Sequence, residues 1–88
     1  MFRLWVKEIE NNHLIKDILI RDDSEDTRTH KVFNGLESAC QKLDIARPIW
    51  LDQNISDFKK FSKTRFTKDS FIEEIYFDYL EISIIEED

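Results

Sequence analysis

Eighty-eight residues with a net charge of −6, 41% hydrophobic content and eleven aromatics describe one folded domain, residues 1–88, with no room for a second core. Such a balance excludes a disordered chain. No apolar run exceeds three residues, so a transmembrane helix is excluded, and with one cysteine so is an internal disulfide. The start of the chain is too polar for a signal-peptide core, which makes a cytoplasmic protein the expectation.

Residues 2–21 read as a β-hairpin with apolar side chains on both faces. Strand one is expected over Phe2–Ile9 and strand two over Leu14–Arg21, joined by Asn11-Asn12-His13. Pairing Leu4 with Ile20 and Val6 with Ile18 sets Trp5 against Leu19 and Ile9 against Ile15. It also sets Lys7 against Asp17 and Glu8 against Lys16, opposite charges both times; like charges meet only at Arg3–Arg21. Leu14, Ile15, Ile18 and Leu19 also fit a helical period, but the charge pairing and the isoleucines favour a strand. Leu4, Val6, Ile18 and Ile20 then share one face, and Trp5, Ile9, Ile15 and Leu19 the other.

Ser24, Asp26 and Thr27 each offer a capping oxygen for a helix. Its stripe is Val32, Phe33, Leu36, Ala39, Cys40 and Leu43, and Arg47-Pro48 marks its end. Gly35 beside the stripe suggests a close approach to the sheet. Ile49-Trp50-Leu51 follows as an apolar clasp. Asp52 or Asn54 then caps a shorter helix with Ile55, Phe58 and Phe61 on its core face. Residues 63–70 read as irregular, and 71–77 fit either a helical turn or extended chain. Leu80, Ile82 and Ile84 alternate with Tyr79, Glu81 and Ser83 in a last strand over Asp78–Ile85. The expected fold is therefore α+β: a hairpin, a main helix, a short second helix, and a C-terminal strand completing a three-stranded, mainly antiparallel sheet. One amphipathic helix covers one face of it. The other is left to Trp5, Ile15, Leu19 and Tyr79, a candidate interface for a protein partner or a second copy, with Lys7–Asp17 and Arg3 at its rim.

The segments Thr27–Phe33, Pro48–Leu51, Lys63–Phe66 and Asp78–Ile82 resemble a family of small uncharacterised proteins of clostridia-type bacteria. The resemblance implies a bacterial cytosolic setting and brings no activity with it.

No catalytic, cofactor or metal motif stands out. Cys40 lies on the apolar stripe, His13 in a loop and His30 out of phase with the cysteine, so a Cys–His nucleophile finds no support and an inert core thiol is expected. Two histidines and one cysteine lack any zinc-ligand spacing, and no metal is expected. Arg28, His30 and Lys31 at a helix start form a candidate anion contact, provided Lys63 and Arg65 fold back toward them. An enzyme acting on a small anion there would have no nucleophile or base. Charge is uneven: residues 59–68 carry five bases and no acid, and residues 69–88 eight acids and no base. A nucleic-acid role is the alternative, either the basic segment touching single strands beside Phe58, Phe61 and Phe66, or the acidic surface acting as a nucleic-acid mimic. The leading expectation is a non-enzymatic interaction or homodimerising module.

Overall fold

The computed structural model describes residues 1–87. Strands β1 (Phe2–Glu10) and β2 (His13–Asp22) form the opening hairpin, α1 spans Arg28–Leu43 and α2 Asp52–Phe61. Strand β3 (Lys63–Thr67), a 3₁₀ turn over Lys68–Ser70 and strand β4 (Tyr79–Glu86) complete the chain. All neighbours are antiparallel, in the order β2-β1-β4-β3. The sheet has four strands, not three.

Leu4–Ile20, Trp5–Leu19, Val6–Ile18, Lys7–Asp17 and Glu8–Lys16 pair as charge and alternation dictate. Beyond Glu8 the register shifts: Ile9 faces Leu14 rather than Ile15, and Glu10 faces His13. The cause is the turn. Asn11 and Asn12 both take left-handed backbone, φ 51° and 65°, so the hairpin closes over two residues of type I′ geometry instead of three. The residue thus released, Ile15, is accommodated as a bulge.

Thr27 caps α1, its Oγ1 accepting from the His30 amide at 3.2 Å. The helix stops at Asp44 (φ 59°), well short of Pro48; the Ile45 amide returns to the Cys40 carbonyl at 3.0 Å and closes the last turn. Val32, Leu36, Ala39 and Cys40 of its stripe are buried in one cluster with Leu4 and Val6, and Ile18, Ile20 and Leu43 pack against that cluster; Phe33, expected on the stripe, lies on its flank. A Cβ on Gly35 would lie 3.1 Å from Leu4 Cδ2 and 3.4 Å from Ile20 Cγ2, which is the close approach its position suggests.

The second helix is capped at Leu51, not at Asp52 or Asn54. Asn54 instead reaches back to accept from the Leu51 amide at 3.0 Å. Its Nδ2 donates to Thr64 Oγ1 (3.0 Å) and to the Arg65 carbonyl (2.8 Å), riveting α2 to β3. Only Phe58 of the expected Ile55/Phe58/Phe61 face is buried; Phe61 is 65% exposed. Steps of three residues fall about 60° short of a full turn, so Ile55 and Phe61 diverge to either side of Phe58. Trp50 forms the hub between the layers, with edge-on contacts to Phe33 (5.6 Å), Phe58 (5.5 Å) and Phe66 (5.0 Å). Phe33 itself is half exposed. Thr64 and Phe66 alternate inward with Lys63, Arg65 and Thr67 outward, which makes residues 63–67 a strand rather than irregular chain. Among the described residues, no helix is long and apolar enough to cross a membrane.

Candidate functional site

Both helices lie on the Leu4/Val6 side, so the sheet's other side is open. Side-chain alternation and register place three rows on it. The first runs Leu19–Trp5–Ser83–Lys63, the second Asp17–Lys7–Glu81–Arg65, and the third includes Ile9–Tyr79–Thr67. The middle row alternates in sign across all four strands.

Lys7 Nζ approaches Glu81 Oε1 at 2.9 Å, and Arg65 Nε donates to Glu81 Oε2 at 2.9 Å. Trp5 Nε1 donates to Asp17 Oδ2 at 2.8 Å. Each aromatic also carries a cation on its ring: Lys7 Nζ lies 4.1 Å from the Trp5 centroid and the Arg65 guanidinium 4.7 Å from that of Tyr79. Glu81 is the keystone, its side chain only 12% exposed. Burial pushes its carboxyl pKa up, but the hydrogen bonds from Lys7 and Arg65 outweigh that and hold it below the ordinary 4.5.

Trp5, Leu19 and Tyr79 therefore share the open face, as the sequence suggests; the bulge takes Ile15 out of the row pairing. Charge separates the aromatics. Trp5 and Tyr79 stand two rows apart with the Lys7–Glu81 pair between them, so the face is banded rather than a continuous greasy patch. Lys7 and Asp17 oppose each other, yet Lys7 bonds Glu81 while Asp17 takes the indole. At the rim Arg3 pairs with Glu86 at 3.3 Å.

The candidate anion contact is not assembled. Lys63 and Arg65 lie on β3, on the side of the sheet away from α1, because pairing with β4 sets Arg65 against Glu81. Arg28 binds Glu87 and donates to Ser62 Oγ at 3.1 Å, and His30 Nδ1 lies 2.8 Å from Asp26 Oδ1. Lys31 is buried, its ammonium 5.7 Å from the Phe2 ring centroid. Phe2, Asp26, Arg28, Lys31 and Glu87 line a hollow of about 220 Å³ in which acids face bases. In the basic segment Phe58 and Phe66 belong to the core, leaving Phe61 exposed among Lys59, Lys60 and Lys63.

Two features escape sequence reasoning. An apolar hollow of about 270 Å³ between α1 and α2 is lined by Val32, Phe33, Trp50, Ile55 and Phe58, with Arg28, Thr29 and Lys59 at its margin. The signal was there in Phe33 and Ile55, each on the flank of its helical stripe. The second is Glu8, which lies fully buried on the helix side. Its Oε1 accepts from the Tyr76 hydroxyl at 2.6 Å, while Oε2 has no hydrogen-bond partner among the described residues. Glu8 faces Lys16 across the hairpin, as expected, but the carboxylate bonds the tyrosine.

Cys40 is 1% exposed, and burial pushes its thiol pKa up to about 11. A thiol reagent at pH 8 is therefore expected to leave the folded protein unlabelled and to modify Cys40 fully in denaturant. Rapid labelling of the native state, followed by mass spectrometry, would contradict this placement. Among the described residues no group of three or more His, Cys, Asp or Glu is placed to hold a metal ion.

No protein-family model, no curated protein and no solved structure matches this chain.

Proposed function

We propose that this chain is a small non-enzymatic interaction module of the bacterial cytosol, which holds a protein partner on the open face of its sheet. The observation that carries the reading is one-sided cover: α1 and α2 both lie against the Leu4/Val6 side, leaving Trp5, Leu19 and Tyr79 outward. Aromatics on a rigid sheet lose little side-chain entropy when a partner closes over them, which suits them as anchors. The signed middle row gives the partner a fixed register to match, and charges of this kind contribute to specificity more than to affinity.

The test is capture of a partner from bacterial extract by the wild type and by folded Trp5→Ala and Tyr79→Ala variants. Loss of a stoichiometric partner in both variants, and its retention by Phe33→Ala on the helix side, is the expected result. Retention by Trp5→Ala and loss by Phe33→Ala would move the contact to the helix layer and sink the reading. A second reading rests on Phe61, which is exposed among Lys59, Lys60 and Lys63 as a ring that single-stranded bases can stack on. The net charge of −6 opposes it. A salt-sensitive gel shift with a single-stranded oligonucleotide, abolished by Phe61→Ala, is the result that would favour it.

A further inference from the structure

The sheet has two edges. One is β3, five residues long; the other is β2, ten residues long and exposed over most of its length. A long open edge presents unpaired backbone N–H and C=O groups, and chains ordinarily blunt it with charge. The charges on β2 are not arranged to repel a second β2. Residues 16–22 read Lys-Asp-Ile-Leu-Ile-Arg-Asp. Turned antiparallel against a copy of itself about Leu19, this segment sets Lys16 opposite Asp22, Asp17 opposite Arg21, Ile18 opposite Ile20 and Leu19 opposite Leu19. All four charges of each strand then meet an opposite charge, and the apolar residues meet one another.

Neighbouring registers lose this match. Centred on Ile20, the pairing puts Leu19 against Arg21 and Asp17 against Asp23. Centred on Ile18, it puts Asp17 against Leu19 and Lys16 against Ile20. A two-fold axis perpendicular to the sheet produces the Leu19 register and keeps every side chain on its own face, so the two sheets continue into one of eight strands.

Two observations within the single chain point the same way. Arg21 is exposed opposite Arg3, and among the described residues it has no carboxylate partner. Arg3 has Glu86, so it is Arg21 that remains uncompensated, and Asp17 of a second copy would answer it. Ile18 and Ile20 lie on the face that α1 covers, and Ile20 packs under Gly35, yet both remain half-buried at the open edge. A neighbouring strand would complete their burial.

We propose that two copies of this chain join edge to edge through β2, residues 16–22 pairing antiparallel about Leu19. The contact is separate from the open-face docking proposed above and stands whether or not that face holds a partner. A seven-residue strand pair is small, so association falls in the micromolar range.

Sedimentation equilibrium across that range is expected to give the mass of two chains for the wild type. In Arg21→Glu the new acid faces Asp17 of the other copy at both ends of the contact, and the mass falls to one chain. The introduced carboxylate also faces Arg3 within its own hairpin, an opposite charge where the wild type has a like one, so loss of the dimer is not loss of the fold. Asp17→Lys sets an ammonium against Arg21 of the other copy and is also expected to sediment as one chain. Mixed in equal amounts, the two variants regain an opposite-charge pair across the contact, and a two-chain mass returns. Should Asp17→Lys fail to fold by circular dichroism, Asp22→Lys, which sets an ammonium against Lys16 of the other copy and faces the uncharged Phe2 within its own hairpin, is expected to sediment as one chain. A wild type that stays single-chain throughout, an Arg21→Glu variant that still dimerises, or folded complementary variants that do not pair would each overturn the proposal. Trp5→Ala is expected to leave the dimer intact; its disappearance in that variant would put the self-contact on the open face instead.

Discussion

Replacing Phe66 by alanine is expected to cost about 3–5 kcal/mol. That is a large share of the total for a chain this short, since stability runs to about 0.05–0.15 kcal/mol per residue. Phe66 has no exposed surface, faces Leu80 across β3–β4 and meets Trp50 edge-on at 5.0 Å. Removing its ring strips the hub of its closest aromatic neighbour and leaves a cavity between helix layer and sheet that neither can collapse to fill. Urea unfolding followed by Trp fluorescence should show Phe66→Ala largely unfolded before denaturant is added, or with its midpoint sharply lowered. Phe61→Ala, at a side chain 65% exposed, should change it by only a few tenths of a kcal/mol. Equal effects from the two would mean that β3 does not carry the core.

Glu81 is the second position where a single change has a large effect. Glu81→Gln removes the charge to which Lys7 and Arg65 are both bonded, and Lys7, 17% exposed, is left without its carboxylate. About 2–3 kcal/mol is the expected loss at neutral pH, because a mostly buried charge loses its partner. The pH dependence follows from the direction of the shift. The carboxyl pKa in the folded chain lies below its ordinary 4.5, so the unfolded state takes up the proton more readily. The contribution is complete above about pH 4.5 and drains away as pH falls through the folded value. Asp22, held down by its hydrogen bonds from Ser24, and Asp26, held down by His30 and Thr27, act in the same direction from the surface. Thermal melts between pH 7 and pH 3 should therefore fall less steeply in Glu81→Gln than in the wild type. Parallel curves would remove Glu81 from the acid response.

The hairpin is legible in the sequence because two independent signals coincide there. Alternation assigns the faces, and the Lys7–Asp17 and Glu8–Lys16 oppositions select the register. The bulge is not, since Asn11-Asn12-His13 suits a two- or a three-residue loop equally well and only the backbone angles decide. Strand β3 goes unread for a different reason: Lys63, Arg65 and Lys68 read as a basic run, and that charge masks the inward Thr64 and Phe66. The open face follows from counting helices against sheet faces, which needs no coordinates. Its banding does not, because Glu81 looks like one more acid in an acidic third until β1 and β3 bring Lys7 and Arg65 to either side of it. The anion contact fails for the same cause, as strand pairing carries Arg65 to the side opposite Arg28 and His30.

The strand order β2-β1-β4-β3 has a bearing on biosynthesis. β4 is made last of the four, yet it occupies an interior position, slotting between β1 and β3. A nascent chain can close its hairpin early and coil α1 over it. β3 must wait with its inner edge bare until residues 79–86 have left the ribosome and dropped into the gap. Placing β4 is thus an insertion between two strands already made, and whatever blocks it leaves the half-built sheet with Phe66 lacking its cross-strand neighbour.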